Sequence, residues 1–544
     1  MTAFARRSDT SSHPDSPWWR GATLYHAYVR SFQDSDGDGF GDLGGLIDRL
    51  DYLEWLGIRG LWLSPTMPSP NHDWGYDVAD YTNVQSDLGS LAVMDRLIEG
   101  AKARGIQVIL DLVPNHTSSE HPWFLSAKSS RDSPYRNFYV WADGKEDEAL
   151  PNNWIDDTGE VAWTWEPTTE QYYFHNFLPH QPDLNWWEPR VHEEFDRIMA
   201  FWYDRGIAGF RIDVANGLYH DRLLRDNPAN PKAVIYDKDV QGRYGLEHRY
   251  NFNQPEVHEV YRAWRVAADE RAEPRLLLGE TWVARVEELA PYYGSGDELQ
   301  LGFNFPLIFA EFTPLDFARI VRESFESFPA GADTVWAGSN HDLPRMGTRW
   351  AKGDTRKIRL AHTVLGLLPG TFVIYYGDEL GMLDSDIPAE LQKDPLTAGF
   401  LNGQWPRDNA RAPMRWDDSA EGGFTDGAAW LPIHPDVEVN VAGERADPDS
   451  VLSLVRRLIS LHSAELATAA TYDEIEVSDD RWMFSTGRLV VAANFSDAPI
   501  PVSVTGDVVI NSASRDVSRP SSIAPWSALV VAPDSVSEAP SVAW

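Results

Sequence analysis

The sequence predicts an α/β protein built on a (β/α)8 TIM barrel, with a loop-rich insertion after the third strand and a C-terminal antiparallel β domain. Three observations predict this fold. Short apolar, strand-like segments alternate with amphipathic helical segments, this alternation fails between residues 117 and 186, and short strands replace it after residue 464. Repeated β-α units of this number are typical of a closed parallel barrel.

The barrel elements follow one another along the chain. Leucines at positions 43, 46, 50, 53 and 56 have the three-to-four spacing of one helix face, and the other helices are assigned on similar patterns. The predicted strands are 22–28, 58–63, 106–112, 207–213, 275–279, 300–304, 333–337 and 371–376. The predicted helices are 42–56, 91–104, 190–204, 256–270 and 449–463.

Two regions depart from the β-α alternation. Residues 117–186 are polar and rich in Trp, Asn, Asp and Pro, and a plain connection of that length is uncommon, so we interpret them as an inserted subdomain. Strands at 482–485, 488–493, 500–504, 507–510 and 526–531 predict a small β domain. The predicted domains are therefore 1–116 and 187–464 for the two parts of the barrel, 117–186, and 465–544.

Composition limits the classes of function. The 544 residues include 83 acidic and 47 basic side chains, a formal charge of -36, and this balance argues against nucleic-acid binding. The lack of cysteine excludes disulfides and thiol catalysis. The N-terminus is polar, and no run of about 18 apolar residues occurs. We expect a cytoplasmic monomer or homodimer that needs neither a membrane nor an organic cofactor.

Four predicted strands end in side chains suited to acid-base chemistry. One such residue alone is typical of a helix cap or a buried histidine. Four strand ends that converge on one barrel mouth favour a catalytic site, since barrel enzymes place their chemistry at the C-terminal ends of the strands. The four segments are Asp111-Leu-Val-Pro-Asn115-His116, Gly209-Phe-Arg211-Ile-Asp213, Gly279-Glu280-Thr281 and Ser339-Asn340-His341-Asp342.

These four segments resemble, in order and spacing, the signature regions of the α-amylase superfamily, glycoside hydrolase family 13. The segment Gln181-Pro-Asp-Leu-Asn185 is similar to the marker of the oligo-1,6-glucosidase and α-glucosidase branch. The resemblance covers nearly the whole chain, and the family is known for a barrel, an inserted domain after the third strand and a C-terminal β domain. It implies an enzyme that acts on a small α-glucoside or oligosaccharide.

The resemblance implies roles for three carboxyl groups. Asp213 would be the nucleophile, Glu280 the general acid/base, and Asp342 the stabiliser of the distorted sugar. The chemistry requires one ionised carboxyl to attack and one protonated carboxyl to release the leaving oxygen. Arg211 lies two residues before Asp213 on the same strand face, so its charge favours the Asp213 carboxylate.

Upstream and downstream segments resemble the family's pocket for a terminal glucose. In Asp73-Trp-Gly-Tyr76-Asp77, Tyr76 would stack under the sugar and Asp73 would bind a far hydroxyl. In Arg407-Asp-Asn-Ala-Arg411, we assign the arginine that pairs with Asp73 to Arg407, with Arg411 as the alternative. The pair would close the end of the pocket. The alternative interpretation is a surface ion pair.

Three further residues complete the predicted binding site. His116 and His341 would hydrogen-bond hydroxyls of the bound glucose. Val214 follows the nucleophile, and in the resembling branch valine at this position goes with a preference for α-1,6 bonds. Since valine is also ordinary at a barrel end, the preferred linkage stays open.

The sequence departs from the branch pattern in two places. Thr158-Gly-Glu160 stands where the branch often has Phe-Gly-Gly, so an aromatic wall of the pocket is missing. The first strand reads His26-Ala-Tyr-Val29 in place of the usual Gln-Ile-Tyr-Pro. Both changes predict substrate subsites that differ in shape from those of the branch.

An acidic loop predicts a metal site. Asp34, Asp36, Asp38 and Asp42 alternate with glycines and Phe40, which matches the ligand spacing of an EF-hand loop with the Phe40 carbonyl at the seventh position. The bidentate glutamate of a true EF-hand is replaced by glycine. Relatives of the oligo-1,6-glucosidase branch carry this loop with Ca2+ or Mg2+, so we expect a structural ion. The alternative is an acidic surface turn.

Two other functions compete with a hydrolase. A transglucosylase or a sucrose- or trehalose-type isomerase of the same fold would pass the glucosyl unit to a sugar instead of water, and the sequence does not separate these from an exo-acting α-glucosidase. A non-catalytic transporter subunit is a remote alternative, because such relatives carry a membrane helix and lack catalytic acids that this chain keeps.

Overall fold

The computed structural model describes residues 17–145, 149–229, 246–395, 406–467, 471–518 and 520–533. Predictions that fall on the polar N-terminal segment 1–16 or on the last residues of the C-terminal domain, 534–544, lie outside the described residues. Among the helices that the structure describes, none is long and apolar enough to cross a membrane.

The described strands form one large parallel sheet and three smaller antiparallel sheets. In chain order the strands are β1 Thr23–Ala27, β2 Gly60–Leu63, β3 Gln107–Leu112, β4 Trp141–Ala142, β5 Trp163–Glu166, β6 Gln171–Phe174, β7 Gly209–Ile212, β8 Leu276–Gly279, β9 Leu301–Gly302, β10 Val335–Ala337, β11 Thr371–Tyr375, β12 Tyr472–Val477, β13 Arg481–Thr486, β14 Leu489–Asn494, β15 Ile500–Pro501, β16 Asp507–Asn511, β17 Ser522–Ile523 and β18 Ser527–Ala532.

Amphipathic α-helices connect the parallel strands, and several begin at a side-chain cap, such as Thr313 before the ninth helix. In chain order the helices are α1 Leu43–Asp48, α2 Leu50–Leu56, α3 Leu91–Ala103, α4 Pro122–Ser129, α5 Pro189–Asp204, α6 Val257–Asp269, α7 Val286–Leu289, α8 Phe305–Ile308, α9 Pro314–Ser327, α10 Met346–Arg349, α11 Thr355–Leu365, α12 Val441–Ala446 and α13 Val451–Glu465.

Eight parallel strands form the predicted barrel. Their order is β10-β11-β1-β2-β3-β7-β8-β9, and a parallel bridge between Phe303 and Val335 joins the two ends. Apolar side chains from alternate strands fill the interior, among them Leu24, Ile109 and Leu278. The structure thus confirms the predicted TIM barrel and places the C-terminal ends of all eight strands around one mouth.

Two antiparallel units accompany the barrel. Between β3 and β7 the chain forms helix α4 and a three-stranded sheet of order β4-β6-β5. After the barrel, a five-stranded sheet of order β12-β13-β14-β18-β16 confirms the predicted antiparallel β domain. The buried Arg359 of α11 connects it to the barrel by donating to the Ser512 carbonyl at 2.5 Å.

Several local predictions were wrong. The helix predicted over 42–56 is two helices, because Arg49 leaves helical geometry where its guanidinium packs 4.1 Å from the ring of Trp416. The region 117–186 contains more regular structure than predicted. Its strands are only two to four residues long, so they show no readable hydrophobic period in the sequence. Strands β9 and β15 are shorter than the predicted 300–304 and 500–504. Helices α9 and α11 and strand β12 were not predicted.

Candidate active site

Neighbouring barrel strands hold the two central carboxyl groups at one mouth. Asp213 follows β7 directly, and its N–H donates to the Leu112 carbonyl of β3 at 2.9 Å. Glu280 follows β8, and its N–H donates to the Ile212 carbonyl at 2.9 Å. Because both residues still belong to the hydrogen-bond ladder of the barrel, their backbones are held rigidly while their side chains enter the mouth.

The guanidinium of Arg211 joins three carboxyl groups beneath the mouth. It is 1% exposed and donates from Nη1 to Asp111 Oδ1 at 2.7 Å and to Asp213 Oδ1 at 2.5 Å. Its Nη2 pairs with Oε1 of Glu280. One buried positive charge is therefore shared by three acidic side chains. If all three were ionised, the cluster would carry a net negative charge, and binding a proton reduces that charge.

Burial raises the pKa of both Asp213 and Glu280, and Arg211 opposes this rise by favouring the charged forms. The negative charge of Glu280 raises the pKa of Asp213 further, so the pair favours a state that keeps one proton. Such a pair holds one proton at a pH at which free carboxylic acids have lost theirs. The arrangement thus provides the two states that glycoside cleavage requires, one carboxylate and one carboxylic acid.

Val214 links the two carboxyl-bearing strands. Its backbone has φ 48, which is strained for a β-branched residue, and this geometry directs its N–H to Glu280 Oε2 at 3.2 Å. The Ala215 N–H donates to the Glu280 carbonyl at 2.8 Å. The Val214 side chain lines the cavity above the carboxyls.

Arg407 lies at one end of the cavity, surrounded by carboxylates. Its Nη2 is 2.7 Å from Asp73 Oδ1 and 2.5 Å from Asp394 Oδ1, and its Nη1 is 3.0 Å from Asp342 Oδ1. All of these side chains except Asp342 are almost fully buried, so this is not a surface ion pair. Arg411, the alternative partner for Asp73, contacts Asp342 at 3.2 Å.

Tyr76 and His341 form a stacked pair on the cavity wall. Their rings are parallel within 1° with centroids 5.2 Å apart, and the Tyr76 hydroxyl lies 2.6 Å from His341 Nε2. The same hydroxyl donates to Asp111 Oδ2 at 3.2 Å. His341 Nε2 is also 3.1 Å from Asp342 Oδ2, so the pair holds the third carboxylate in place.

His116 lies in a polar network on the side of the inserted segment. Its Nδ1 is 2.9 Å from Asn115 Oδ1, and its Nε2 is 3.1 Å from Gln181 Nε2. Gln181 donates in turn to Asp73 Oδ2 at 3.0 Å. Burial lowers the pKa of His116 to about 4 and that of His341 well below its usual range. Both imidazoles are therefore neutral near pH 7, which suits hydrogen bonds to neutral hydroxyls.

One cavity collects nine of the ten predicted catalytic and substrate-binding residues. Arg211 is the exception, because it lies beneath the cavity floor. The motifs of the sequence do not include the residues of the outer wall, which come from loops whose course carries no local signal. These are Ile155, Asp156, Asp157, Phe177, Asn216, His248, Phe252 and Trp282, together with Gln181 of the recognised motif.

Both departures from the branch pattern have a structural counterpart. Thr158 does not line the cavity; it donates to Asp156 Oδ1 at 2.7 Å in a tight turn, and Asp156 and Asp157 form the wall in its place. His26 is fully buried and stacks flat on Trp62 with 3.5 Å between ring centroids. It therefore fills the barrel interior below the site and does not reach the cavity.

The acidic loop brings together three of its four carboxylates. Oxygen atoms of Asp34, Asp36 and Asp42 lie within 4.8 Å of one another, which fits the oxygen ligands that Ca2+ or Mg2+ require. Asp38 lies outside this group, and it accepts a hydrogen bond from the Phe40 N–H at 2.8 Å. The loop follows β1, and none of its carboxylates lines the cavity that contains Asp213 and Glu280.

The chain matches two family models and is similar to several curated proteins. The alpha-amylase catalytic-domain model matches residues 26–470, and a domain of unknown function, DUF3459, matches residues 465–530. The chain is 39% identical to the probable alpha-glucosidase of Rhizobium meliloti (strain 1021), over 86% of each sequence. It is 36% identical to the oligo-1,6-glucosidase of Heyndrickxia coagulans, over 88% of this chain and 92% of that protein.

A solved structure with a similar fold is that of the alpha-glucosyl transfer enzyme XgtA. It is 35% identical in sequence and superimposes with a TM-score of 0.88, over 95% of this chain and all of that one.

Proposed function

The chain belongs to the alpha-amylase family of glycoside hydrolases, and on this premise we propose that it is an exo-acting, retaining α-glucosidase. It removes a terminal α-linked glucose from short oligosaccharides or α-glucosides. The observation that carries this proposal is the cavity in which Asp213 and Glu280 contact one guanidinium while Arg407 and its carboxylate partners close the end. A closed end admits one terminal sugar.

The contact with a shared guanidinium supports retention. Retaining pairs are about 5–5.5 Å apart, whereas inverting pairs leave about 6.5–9.5 Å for an extra water molecule. The contact of Asp213 and Glu280 with the two terminal nitrogens of one guanidinium supports the closer arrangement. The first step therefore forms a covalent bond between Asp213 and the anomeric carbon of glucose.

The proposed reaction has two displacements. In the first, an Asp213 oxygen attacks the anomeric carbon, the glycosidic C–O bond breaks, and Glu280 donates its proton to the leaving oxygen. In the second, Glu280 takes a proton from water, the water oxygen attacks the same carbon, and the Asp213 ester bond breaks. Asp342, Asp73 and the neutral His116 and His341 would bind glucose hydroxyls, and Tyr76 would stack against the ring.

The acidic loop supports a structural role for a divalent ion. We propose Asp34, Asp36, Asp38, Asp42 and the Phe40 carbonyl as ligands of Ca2+ or Mg2+. Such an ion would offset the repulsion between the carboxylates of the loop and stabilise the segment after β1. A cytoplasmic location and a monomeric or homodimeric state stay predictions.

A transglucosylase is the second candidate, since the alpha-glucosyl transfer enzyme XgtA has a similar fold. Both activities share the covalent intermediate, and they differ in whether water or a sugar accepts the glucosyl unit. Product analysis with maltose, isomaltose, sucrose, trehalose and aryl α-glucosides distinguishes them. At high maltose concentration, release of two glucose molecules for each maltose consumed supports the hydrolase. Release of glucose and new oligosaccharide in equal amounts, with little further glucose, would contradict it.

A further inference from the structure

A second cavity lies between the inserted segment and the loop that follows β7. It shares no lining residue with the active-site cavity. The residues that matter for its chemistry are Arg136, Trp141, Asn185, Trp187, His220 and Arg222. The proposed hydrolysis uses none of these side chains, so the cavity needs an explanation of its own.

Two tryptophans form fixed aromatic walls of this cavity. Trp141 and Trp187 are half-buried, and their indole N–H groups donate to the carbonyls of Arg136 and His220, each at 2.9 Å. The Arg136 guanidinium lies 3.4 Å from the Trp141 ring centroid, and the Arg222 guanidinium lies 4.6 Å from that of Trp187. Rigid aromatic rings of this kind offer flat apolar surface at low entropic cost.

His220 supplies an unpaired neutral polar group. It is 2% exposed, and neither of its ring nitrogens has a hydrogen-bond partner among the described residues. Burial lowers its pKa to about 4, so the imidazole is neutral near pH 7 and offers one donor and one acceptor. Buried polar atoms are almost always hydrogen-bonded, so an unpaired ring nitrogen of His220 is suited to pair with a ligand hydroxyl.

Two of the three arginines that line the cavity are already engaged in hydrogen bonds. Arg136 donates to the Ala127 carbonyl at 2.9 Å and to Gln171 Oε1 at 2.5 Å. Arg131 donates to the Thr169 carbonyl at 2.6 Å. A phosphate or carboxylate that paired with either would have to break these bonds, whereas a neutral ligand leaves them intact, and the third arginine, Arg222, packs on Trp187.

We propose that this cavity is a second binding site for a short neutral saccharide. The apolar C–H face of a sugar ring would pack on Trp187, and its hydroxyls would pair with His220 and Asn185. The site holds a saccharide outside the reaction centre and takes no part in bond cleavage. It does not depend on the hydrolase activity proposed above.

Maltotriose binding tests this site directly. In Asp213→Asn enzyme with the first cavity filled by a glucose-mimicking iminosugar, an NMR titration should still show saturable binding. Trp187→Ala should weaken this binding at least tenfold, because the sugar loses its aromatic wall. Trp165→Ala is the matched control: this exposed tryptophan of β5 does not line the cavity, so binding should stay within twofold.

A second variant tests the site independently if Trp187→Ala fails to fold. Asn137→Trp fills the rim of the cavity from an exposed position, and the backbone carbonyl that accepts from Asn185 is kept. In Asp213→Asn enzyme it should also abolish the second binding event, and in the otherwise wild-type enzyme it should leave cleavage of an aryl α-glucoside unchanged. Absence of saturable binding with the first cavity filled, or binding that survives both variants, would overturn the proposal. Neither result affects the hydrolase assignment, which the aryl glucoside assay reports separately.

Discussion

At the scale of single residues, one guanidinium couples the two central carboxyls. Arg211 contacts both Asp213 and Glu280, and Glu280 also accepts from the strained Val214 N–H. The pair holds one proton, and the side chain that carries it when the substrate is cleaved acts as the acid. The Val214 N–H favours the charged form of Glu280, so we assign the acid role to Glu280 from its place in the family motif and test it by mutation.

Glu280→Gln should lower kcat for maltose by about 100- to 10,000-fold, since glutamine cannot donate a proton to the leaving oxygen. With an aryl α-glucoside, the same variant should slow the first displacement less, because a good leaving group needs little help from an acid. Burial raises the pKa of Glu280, so wild-type activity should persist above the pH at which a free carboxyl ionises and decline as the pH rises through that raised value. Steady-state kinetics with both substrates across pH provide the measurement.

Glu270→Gln is the matched control, because Glu270 is exposed at the end of α6. It should leave the kinetics unchanged. Equal losses for maltose and the aryl glucoside in Glu280→Gln, with wild-type pH dependence, would show that Glu280 is not the acid.

Arg407→Ala should destabilise the fold and impair substrate binding. Removing this guanidinium leaves Asp73 and Asp394 buried without a counter-charge, which costs about 3–5 kcal/mol of unfolding free energy. Arg356→Ala, at an exposed pair with Asp354, should cost about 0–1 kcal/mol. Denaturant unfolding measures both.

The conservative Arg407→Lys keeps the charge and should fold, but it loses the forked contacts. Its KM for maltose should rise more than its kcat falls, because the closed end of the pocket positions the terminal glucose. An unchanged KM would mean that Arg407 serves stability alone.

At the scale of elements, the barrel was predictable and its local breaks were not. Each parallel strand is a short apolar run bounded by turn residues, so the sequence carries a direct signal for β1 to β3, β7, β8 and β11. At the break, the Arg49 side chain contacts Gln33 and Trp416, and the latter is distant in sequence. Only the fold brings those partners together, so local periodicity predicts one continuous helix.

The acidic loop permits a prediction at the same scale. If Asp34, Asp36 and Asp42 hold a divalent ion, a chelator should lower the melting temperature by several degrees, since an ion bound only by the folded state stabilises it by about 2.7 kcal/mol at 100 times its Kd. Asp42→Asn should lower the melting temperature measured without chelator and remove the further decrease that the chelator causes. Asparagine still caps α1, where Asp42 accepts from the Gly45 N–H, so this variant tests the ion and not the cap.

The exposed Asp418→Asn is the control for charge removal and should respond to chelator as the wild type does. Scanning calorimetry with and without chelator, followed by addition of Ca2+ or Mg2+, gives the comparison. Identical melting curves for the wild type under both conditions would rule out the metal site.

At the scale of the whole molecule, the barrel assembles one cavity from segments separated by more than 300 residues. Asp73 and Arg407 lie 2.7 Å apart although 334 positions separate them. The motifs predicted that these residues belong to one site, because strand ends of a barrel meet at one mouth. The outer wall was not predictable: Phe252 and Trp282 enter from irregular loops, and only the complete fold determines which loop side chains face the cavity.

The most direct test of the account is to trap the covalent intermediate. A fluorinated α-glucosyl fluoride, which slows the second displacement more than the first, should add one fluoroglucosyl mass to the enzyme. Peptide mapping should place that mass on Asp213, and Asp213→Asn should remain unlabelled while it keeps the wild-type melting temperature. A label on another residue, or turnover without any trapped intermediate together with inversion of the released glucose, would contradict the proposed retaining mechanism.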